Sequence, residues 1–334
     1  MPATISSSPP SFAGSAAVRT ENDTRTGSAT NVVGNLNKLS NTSETRSVPG
    51  QASTASLSPL ESESPPPAEK KFDFPGFYAA LRGNGEVNVR DFGDIVFSAD
   101  SGPGHAERLP SEKHEHHLPS VRKEHGDAIN RVSSAFLGTQ YQANTLIGGA
   151  NISEELVANF NGVDCFTFLD YVEALARSHD QKSFRDNLVR IRYAEGKVDF
   201  LSRRHFFSDW FATAPGNALD VTPEISPQYK VVEKQLNSKS EGEQYISDLG
   251  IQSRKIHYIP KDKLDQQVLS CLKTGDYVGV YSPLEGLDVS HVGIVIHEDP
   301  QVWFRHASFN NEVLDSPFLE YMKNKPGIVV LRSQ

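Results

Sequence analysis

Residues 161 to 177 read Asn-Gly-Val-Asp-Cys-Phe-Thr-Phe-Leu-Asp-Tyr-Val-Glu-Ala-Leu-Ala-Arg, and the fold is best approached from this stretch. Its apolar side chains recur at intervals of three and four residues, at Cys165, Phe168, Leu169, Val172, Leu175 and Ala176. This spacing predicts a helix with one continuously buried face. Asp164 is a suitable N-cap, because its carboxylate can accept hydrogen bonds from the first free N–H groups, and Gly162 loosens the chain before it.

The first inward residue of this helix is Cys165. A thiol in the first turn feels the positive end of the helix dipole, which lowers its pKa and raises the thiolate fraction. A lone cysteine on an apolar helix face is nevertheless more often a small core residue than a nucleophile. Residues elsewhere in the chain must decide between these interpretations.

Two strand-like runs near the C terminus, residues 290–296 and 302–308, supply candidate partners for the thiol. Asp299-Pro300 turns the chain between them, which predicts an antiparallel hairpin. Because side chains alternate along a strand, His291 and His306 can lie on one face of the two neighbouring strands. We expect the cysteine helix to pack against that face.

This arrangement has the chemistry of a cysteine hydrolase. The thiolate of Cys165 would attack an acyl carbon, His291 would act as the base, and His306 would orient its imidazole. Gly293 leaves space beside the base, whereas His297 lies about 20 Å farther along the strand and cannot serve the same centre. A zinc site built from the same three residues is the alternative, but a C-x-x-C or H-x-x-x-H spacing is missing.

Composition narrows the function classes for this chain of 334 residues. The formal net charge of −9 does not favour a nucleic-acid or anionic-membrane partner. No apolar run approaches the roughly 18 residues that a spanning helix needs, and no cofactor or metal is expected. The second cysteine, Cys271, shares a predicted helix face with Leu264, Val268 and Leu272, so we assign it to the core.

Residues 1–70 differ from the rest of the chain, since 30 of them are Ser, Thr or Pro. Such a segment buries too little apolar surface to offset its conformational entropy, so we expect it to be disordered. It has no basic and apolar regions typical of a secretion signal. It is either a passive tail or a signal read by a specialised secretion machinery.

We expect one domain over residues 71–334, with its core at about 126–332. Further helices are predicted from Asp127 to Leu137, from Phe184 to Ala194, around Tyr229 to Leu236, from Asp262 to Leu272, and after Ser316-Pro317 with Ser316 as N-cap. Further strands are predicted over Phe92 to Phe97, Lys255 to Ile259, Tyr277 to Tyr281 and Ile328 to Leu331. Helices first and an antiparallel sheet afterwards indicate an α+β fold.

Two other groups of residues could bind a ligand. The histidines at 105, 114, 116, 117 and 125 lie among Pro, Glu, Lys and Ser without cysteine partners, so a solvated loop is favoured over a metal site. The aromatic run at residues 203–211 contains His205, Asp209 and Trp210, which either form a buried edge or line a substrate cleft.

Several motifs, in order along the chain, resemble those of the NlpC-type papain-like cell-wall peptidases: residues 137–141, Asp164-Cys165, residues 291–294 and residues 306–308. The longer pattern is closer to a sister family described as N-acetylmuramoyl-L-alanine amidase-like and otherwise of unknown function. Its motifs are similar to residues 141–146, 164–168, 205–210 and 305–308. The resemblance covers roughly residues 126 to 332.

The resemblance implies a papain-like fold in which Cys165 is the nucleophile, His291 the general base and His306 the orienting residue. Tyr141 would donate a hydrogen bond near the thiolate, and the backbone N–H of Cys165 would help to form an oxyanion hole. The substrate of such families is bacterial peptidoglycan, which is cut at an amide of the stem peptide or at its link to muramic acid.

Members of such families usually carry an export signal, and residues 1–70 depart from that pattern. We therefore expect an effector that leaves its cell without a signal peptide, to act on a competitor's wall or inside a host cell; otherwise the protein is cytoplasmic. A host-directed cysteine protease or acyltransferase with the same centre is a second hypothesis. The third is a catalytically inactive binding module in which Cys165 is only a core residue.

Overall fold

The computed structural model of the protein describes residues 71–83, 85–93, 118–239, 242–309 and 311–334. The helices are α1 (Phe74–Leu81), α2 (Leu118–Ser134), α3 (Cys165–Ala176), α4 (Gln181–Arg192), α5 (Asp209–Ala212), α6 (Thr222–Ile225), α7 (Gln266–Cys271) and α8 (Phe318–Met322). The strands are β1 (Gln140–Tyr141), β2 (Ile147–Gly149), β3 (Ile152–Glu155), β4 (Gly162–Val163), β5 (Ala218–Asp220), β6 (Lys230–Leu236), β7 (Gln252–Pro260), β8 (Tyr277–Tyr281), β9 (Val289–Glu298), β10 (Gln301–Ala307), β11 (Val313–Pro317) and β12 (Gly327–Ser333). The predictions for residues 1–70, for residues 94–97 and for the histidines from 105 to 117 lie outside the described residues.

The main sheet has the strand order β11-β10-β9-β8-β12-β7-β6, and β5 pairs with β12. Every neighbouring pair in it is antiparallel. The turn between Glu298 and Gln301 joins β9 to β10, which confirms the predicted hairpin. With the helices concentrated earlier in the chain, the protein is an α+β fold with an antiparallel C-terminal sheet, as expected.

Both faces of this sheet are covered, because successive residues of a strand point to opposite sides. Val292 and Ile294 of β9 join the core cluster that contains the buried residues of α3. Val295 and Phe304 join a second cluster with residues of α6, α7 and α8. The sheet is therefore the middle layer, and α3 packs against β9 and β10 on one side of it.

Helix α3 begins at Cys165, as predicted, and Asp164 caps it. The Asp164 carboxylate accepts hydrogen bonds from the backbone N–H groups of Phe166 (3.0 Å) and Thr167 (2.7 Å). The Thr167 hydroxyl in turn accepts one from the Asp164 N–H (2.9 Å), which completes a capping box. Every residue from Cys165 to Leu175 is buried, so α3 is the central helix of the domain.

The buried carboxylate of Glu173 ties the far end of α3 to three other elements. It accepts hydrogen bonds from the Arg177 guanidinium, the Tyr277 hydroxyl and the Ser333 hydroxyl, each at 2.6 Å. His125 of α2 also lies beside it, with Nε2 3.2 Å from Oε2. These contacts connect α3 to β8, to the end of β12 and to α2. His125 therefore lies on a helix and not in the solvated loop that the sequence predicted.

Residues 229–236 are the clearest error of secondary-structure prediction, since a helix was expected and strand β6 is found. The strand pairs with β7 from Lys230 opposite Tyr258 to Leu236 opposite Gln252. Successive β-branched residues, Val231 and Val232, favour an extended chain, and the long partner strand satisfies its backbone groups.

Two predicted helices near the C terminus are shorter than expected. Residues 261–263 form a 3₁₀ turn, and α7 begins only after the N-cap Asp265. Cys271, at its last position, is exposed, so the prediction that it is a core residue is wrong. Ser316-Pro317 ends strand β11 instead of starting a helix, because its backbone pairs with β10, and α8 begins at Phe318.

The predicted strand at Phe92 is also wrong in its described part, because residues 89–92 form a 3₁₀ turn capped by Asn88. The predictions of α4 and of the strands near 255–259, 277–281 and 328–331 are confirmed. Among the described residues, no helix is both long enough and apolar enough to cross a bilayer.

Glu173→Gln should show how far the buried carboxylate stabilises the domain. Burial raises the pKa of Glu173, but the charge of Arg177 and the hydrogen bonds from His125 and Ser333 outweigh burial and hold it well below its usual range. We expect the free energy of unfolding at pH 7 to fall by about 2–3 kcal/mol, because the charged hydrogen-bond acceptor is lost. Denaturant titration measures this loss.

The sign of the pH dependence follows from the same pKa. The folded-state value lies below the unfolded-state value of about 4.3, so the stabilisation is present above that pH and is lost as the pH falls towards the folded-state value. The difference between wild type and Glu173→Gln should therefore be smaller at pH 3 than at pH 7. Glu233→Gln is the control, since Glu233 is 66% exposed and 3.9 Å from Lys255, and it should change stability by less than about 0.5 kcal/mol. Equal losses of unfolding free energy in Glu173→Gln and Glu233→Gln would contradict the stabilising role of the buried Glu173 carboxylate.

Candidate active site

The candidate site lies at the end of the sheet where β9 begins and β10 ends. Strand β4 leads directly into α3, which places Cys165 at the helix N terminus. Strand β1 runs parallel to β4 with Tyr141 opposite Val163, two residues before the cysteine. The ring of Tyr141 also meets Phe309 edge to face, with centroids 5.3 Å apart. Tyr141 thus lies next to the chain that carries the thiol, and its role as a hydrogen-bond donor to the thiolate stays a prediction.

His291 and His306 form a direct hydrogen bond. The Nε2 of His291 is 2.9 Å from the Nδ1 of His306, and the Nε2 of His306 is 3.1 Å from the hydroxyl oxygen of Ser316. The prediction that the hairpin brings the two histidines together is confirmed. Ser316, which the sequence suggested as a helix cap, instead ends this chain of polar groups.

The chain of hydrogen bonds restricts the tautomers of the two rings. If His306 donates from Nε2 to Ser316, its Nδ1 is an acceptor and His291 must donate from Nε2. The Nδ1 of His291 is then unprotonated and can accept a proton. This is the tautomer that a general base requires, with His306 holding the imidazole in place.

Burial keeps both histidines uncharged. It lowers the pKa of His291 well below the usual value, and the neighbouring His306 and Lys325 lower it further. Burial also lowers the pKa of His306 to about 4, with Asp315 acting in the opposite direction. At neutral pH the pair is therefore two neutral rings, of which one can take up a proton.

An aromatic group packs against the histidine pair. The ring of Phe304 stacks on His306 with centroids 4.9 Å apart, and the ring of Tyr321 lies 4.6 Å from His306 and 6.2 Å from His291. Burial raises the pKa of Tyr321, and so does negative charge at Cys165. Tyr321 therefore lies near both the thiol and the two histidines.

The model of the AmiA-like family, described as N-acetylmuramoyl-L-alanine amidase-like, matches residues 131–328. The chain belongs to this family. The matched region begins in α2 and ends in β12, so it includes Cys165, His291, His306 and Tyr321. The resemblance of the sequence motifs to the amidase-like family is confirmed.

Solved structures support the same assignment. An N-acetylmuramoyl-L-alanine amidase from Bacteroides uniformis is 30% identical, with a TM-score of 0.55 over 63% of this chain and 99% of that one. A proposed xylanase from Bacteroides fragilis is 33% identical, with a TM-score of 0.51 over 60% and 99% of the two chains. A Legionella pneumophila protein at 20% identity and a TM-score of 0.54 shares the fold, over 65% and 94% of the chains. The comparison with curated proteins gave no match.

In this member of the amidase-like family, α3 does not pack on the face that carries the two histidines. Its apolar residues contact the side of the sheet that presents Val292 and Ile294, whereas Phe304, which stacks on His306, faces the other side. The two histidines share a face of the sheet, as predicted, but the prediction that the apolar residues of α3 pack on that same face is wrong. Alternation decides the face of each side chain, but it does not show which face the helix covers.

The proposed cleft residues of the aromatic run lie in the interior. The Nε2 of His205 donates a hydrogen bond to the carbonyl oxygen of Phe200 (2.8 Å), and burial lowers the pKa of His205 to about 3. Asp209 pairs with Arg254 at 3.1 Å, and the ring of Trp210 packs 4.9 Å from that of Tyr277. All three residues are buried, which favours the alternative of a buried edge.

Two other predictions concern His297 and a zinc site. His297 lies near the end of β9, where its Nδ1 is 3.0 Å from the carbonyl oxygen of Leu272. Within the described ranges, no group of three or more His, Cys, Asp or Glu side chains is placed to hold a metal ion, so the zinc arrangement of Cys165, His291 and His306 is not formed.

Sequence reasoning missed Tyr321 and Ser316. Tyr321 follows Phe318 by three residues, and Phe318 and Met322 are buried in the core, so helical periodicity could have placed Tyr321 at the edge of that apolar face. Ser316 lies opposite Phe304 in the β10–β11 pairing, two positions from His306 along the partner strand. That position depends on strand register, which local sequence does not give.

Gly293→Ala tests how tightly the site is packed. A Cβ at this position would lie 2.6 Å from two ring carbons of Phe304 and 2.7 Å from the carbonyl oxygen of Arg305. Because Phe304 stacks on His306, the variant should displace that ring and disturb the hydrogen bond between the histidines. We expect a loss of about 1–3 kcal/mol in stability. Thermal unfolding and imidazole ¹⁵N chemical shifts measure the two effects.

Gly149→Ala is the matched control, because its Cβ would meet no atom within 4 Å. It should leave the histidine signals unchanged and alter stability by less than about 0.5 kcal/mol. Unchanged histidine shifts in Gly293→Ala would show that the ring of Phe304 does not hold the pair.

Proposed function

We propose that the protein is a cysteine-dependent hydrolase that cleaves an amide bond of bacterial peptidoglycan, with a papain-like, NlpC-type catalytic domain. The observation that carries the proposal is the chain of hydrogen bonds from His291 through His306 to Ser316. Beside it lies Tyr321, whose pKa is raised by burial and, to a smaller extent, by the charge of Cys165. Cys165 is the nucleophile, His291 the general base and His306 the residue that positions it.

In the first half of the reaction, the thiol proton moves to the Nδ1 of His291 as the sulfur attacks the amide carbon. The backbone N–H of Cys165, at the positive end of α3, stabilises the negative oxygen of the tetrahedral intermediate, and Tyr141 donates to the site beside it. The C–N bond then breaks, and the imidazolium returns its proton to the leaving amine. An acyl-enzyme thioester and a free amine result.

In the second half, His291 takes a proton from water as the water oxygen attacks the thioester carbon. The second tetrahedral intermediate collapses, the carboxylic acid leaves, and the sulfur regains its proton from the imidazolium. The thiol and the neutral imidazole are restored, so the cycle requires no other reactant.

Access to the thiol shapes the substrate that fits. Cys165 is 0% exposed, and His291 and His306 are 5% and 2% exposed. Tyr141 and Tyr321 are only partly buried, so they form the accessible border of the site. Substrate must enter between such side chains and displace part of their cover, which favours a narrow, extended peptide over a bulky folded protein.

The substrate class rests on the family and on the related Bacteroides uniformis amidase. The masses of the reaction products identify which bond is cut, the bond to muramic acid or a bond inside the stem peptide. Export of the protein as an effector, with residues 1–70 as the signal, stays a prediction from composition.

Cys165→Ala should abolish hydrolysis, with a fall of at least about a thousandfold, because the sulfur that forms the proposed acyl-enzyme is lost. Mass spectrometry of purified peptidoglycan incubated with the full chain detects the fragments, and their masses identify the bond. Cys271→Ala is the control, since this second cysteine is exposed and lies on α7. Fragments released equally by the Cys165→Ala protein would contradict the proposed mechanism.

The pH dependence of kcat/KM should report the neutral histidine pair. Protonation of His291 removes the base, so activity should fall as the pH drops through the pKa of the pair. Because burial lowers the pKa of His291 and that of His306, the midpoint of this acid limb should lie clearly below 6.5. A midpoint at or above 6.5 would show that the pair does not act as a buried neutral base.

His306→Gln should move that midpoint upwards. It removes one of the causes that lower the pKa of His291, and it should also reduce kcat because the imidazole is no longer held by a ring nitrogen. A variant with reduced kcat and an unchanged midpoint would indicate a packing defect instead.

A further inference from the structure

Lys325 lies beside the candidate active site, just after α8. Its Nζ is 5.1 Å from the ring centroid of Tyr321, a cation–π contact. The same ring is 4.6 Å from that of His306. The ammonium can therefore be no farther from the His306 ring than the sum of these distances, about 10 Å. Lys325 also lowers the pKa values of both histidines, which places its charge within their electrostatic range.

This lysine lacks an anionic partner in the described part of the chain. Its side chain is partly buried, and no carboxylate there lies within ion-pair distance of it. The other charged groups near the centre differ, since Arg305 is held by Asp315 at 2.8 Å. A partly buried ammonium over an aromatic face, beside the proposed catalytic centre and without a carboxylate of the described residues in ion-pair range, points to an anion that the substrate supplies.

The cation–π contact alone is a weaker explanation. At a partly exposed site such a contact stabilises only weakly, and it pairs none of the three N–H donors of the ammonium with a carboxylate of the described residues. It also places a positive charge where it disfavours the imidazolium that the reaction forms. A carboxylate bound at Lys325 would neutralise that charge when substrate is present.

We propose that Lys325, held over the ring of Tyr321, binds a carboxylate of the substrate close to the scissile amide. This inference rests on the proposed hydrolysis and deepens it, because it names the substrate as an acidic peptide. An extended peptide advances about 3.3–3.6 Å per residue, so a distance of up to about 10 Å selects a carboxylate within two or three residues of the reacting bond.

Matched substrates test the charge directly. Two stem-peptide fragments serve as substrates, one with a carboxylate near the scissile amide and the other with a carboxamide at the same position. The kcat/KM for each fragment is measured with the wild-type full chain, with Lys325→Met and with Lys325→Arg. We expect the wild type to cleave the carboxylate fragment with a kcat/KM about tenfold higher. Lys325→Met should lose this preference through slower cleavage of the carboxylate fragment, and Lys325→Arg should keep most of it.

Lys323→Met is the control variant. Lys323 is exposed and lies two residues from Lys325, so its replacement changes the net charge equally without removing the group over Tyr321. It should leave the substrate preference unchanged. Equal preference in wild type and Lys325→Met, or an equal loss for both fragments, would overturn the inference.

A second readout does not depend on peptidoglycan. Iodoacetate and iodoacetamide differ by the same charge, and peptide mass spectrometry follows their reaction at Cys165, with the exposed Cys271 as internal reference. The rate ratio of iodoacetate to iodoacetamide at Cys165 should fall about fivefold in Lys325→Met and stay constant in Lys323→Met.

The two readouts separate the two proposals. Absence of cleavage together with a Lys325-dependent alkylation ratio would contradict the peptidoglycan substrate and support the anion site. Cleavage of both fragments would support the hydrolase. If Lys325→Met then changed neither the kcat/KM ratio of the two fragments nor the alkylation ratio of the two reagents, the anion site would be overturned. A thiol that neither reagent modifies would contradict Cys165 as an accessible nucleophile, and with it both proposals.

Discussion

The buried acidic groups of α3 are the constraint on which the position of the thiol depends. Asp164, Asp170 and Glu173 lie on or next to one fully buried helix, and each must find partners or cost several kcal/mol. Asp164 caps the helix, Asp170 pairs with the buried Arg192 at 2.9 Å, and Glu173 collects donors from α2, β8 and β12. The helix cannot rotate or slide without breaking one of these sets, so Cys165 has one place relative to the sheet.

Burial also explains how the centre can work with uncharged histidines. A buried imidazolium would be costly, and the pKa values of His291 and His306 are accordingly low. In the proposed mechanism, charge then develops only while the substrate reacts, on the sulfur, on the oxyanion and on the imidazole. The N terminus of α3 favours the negative groups. An anionic substrate at Lys325 would favour the positive one.

Much of this site could be predicted from the sequence, because its parts are set by local rules. Capping and three-to-four spacing identify α3 and place Cys165 in its first turn, while alternation and the Asp299-Pro300 turn bring the histidines together. The remainder depends on which elements pack together. The side of the sheet that α3 covers, the strand β6 and the register that puts Ser316 at His306 are set by distant partners. Tyr321 likewise joins the site only because α8 folds against β10.

The buried aromatic run gains a role from the same reasoning. Ser208, within that run, donates its backbone N–H to the Asp288 carboxylate at 2.6 Å, and its hydroxyl accepts from Arg254 at 2.8 Å. Asp288 immediately precedes β9 and also accepts from the N–H of Val289 at 2.8 Å. His291 follows Val289 by two residues. The run therefore does not have to touch substrate to matter for the proposed catalysis, since its contact with Asp288 fixes the point where β9 begins and thereby the position of His291, the proposed base.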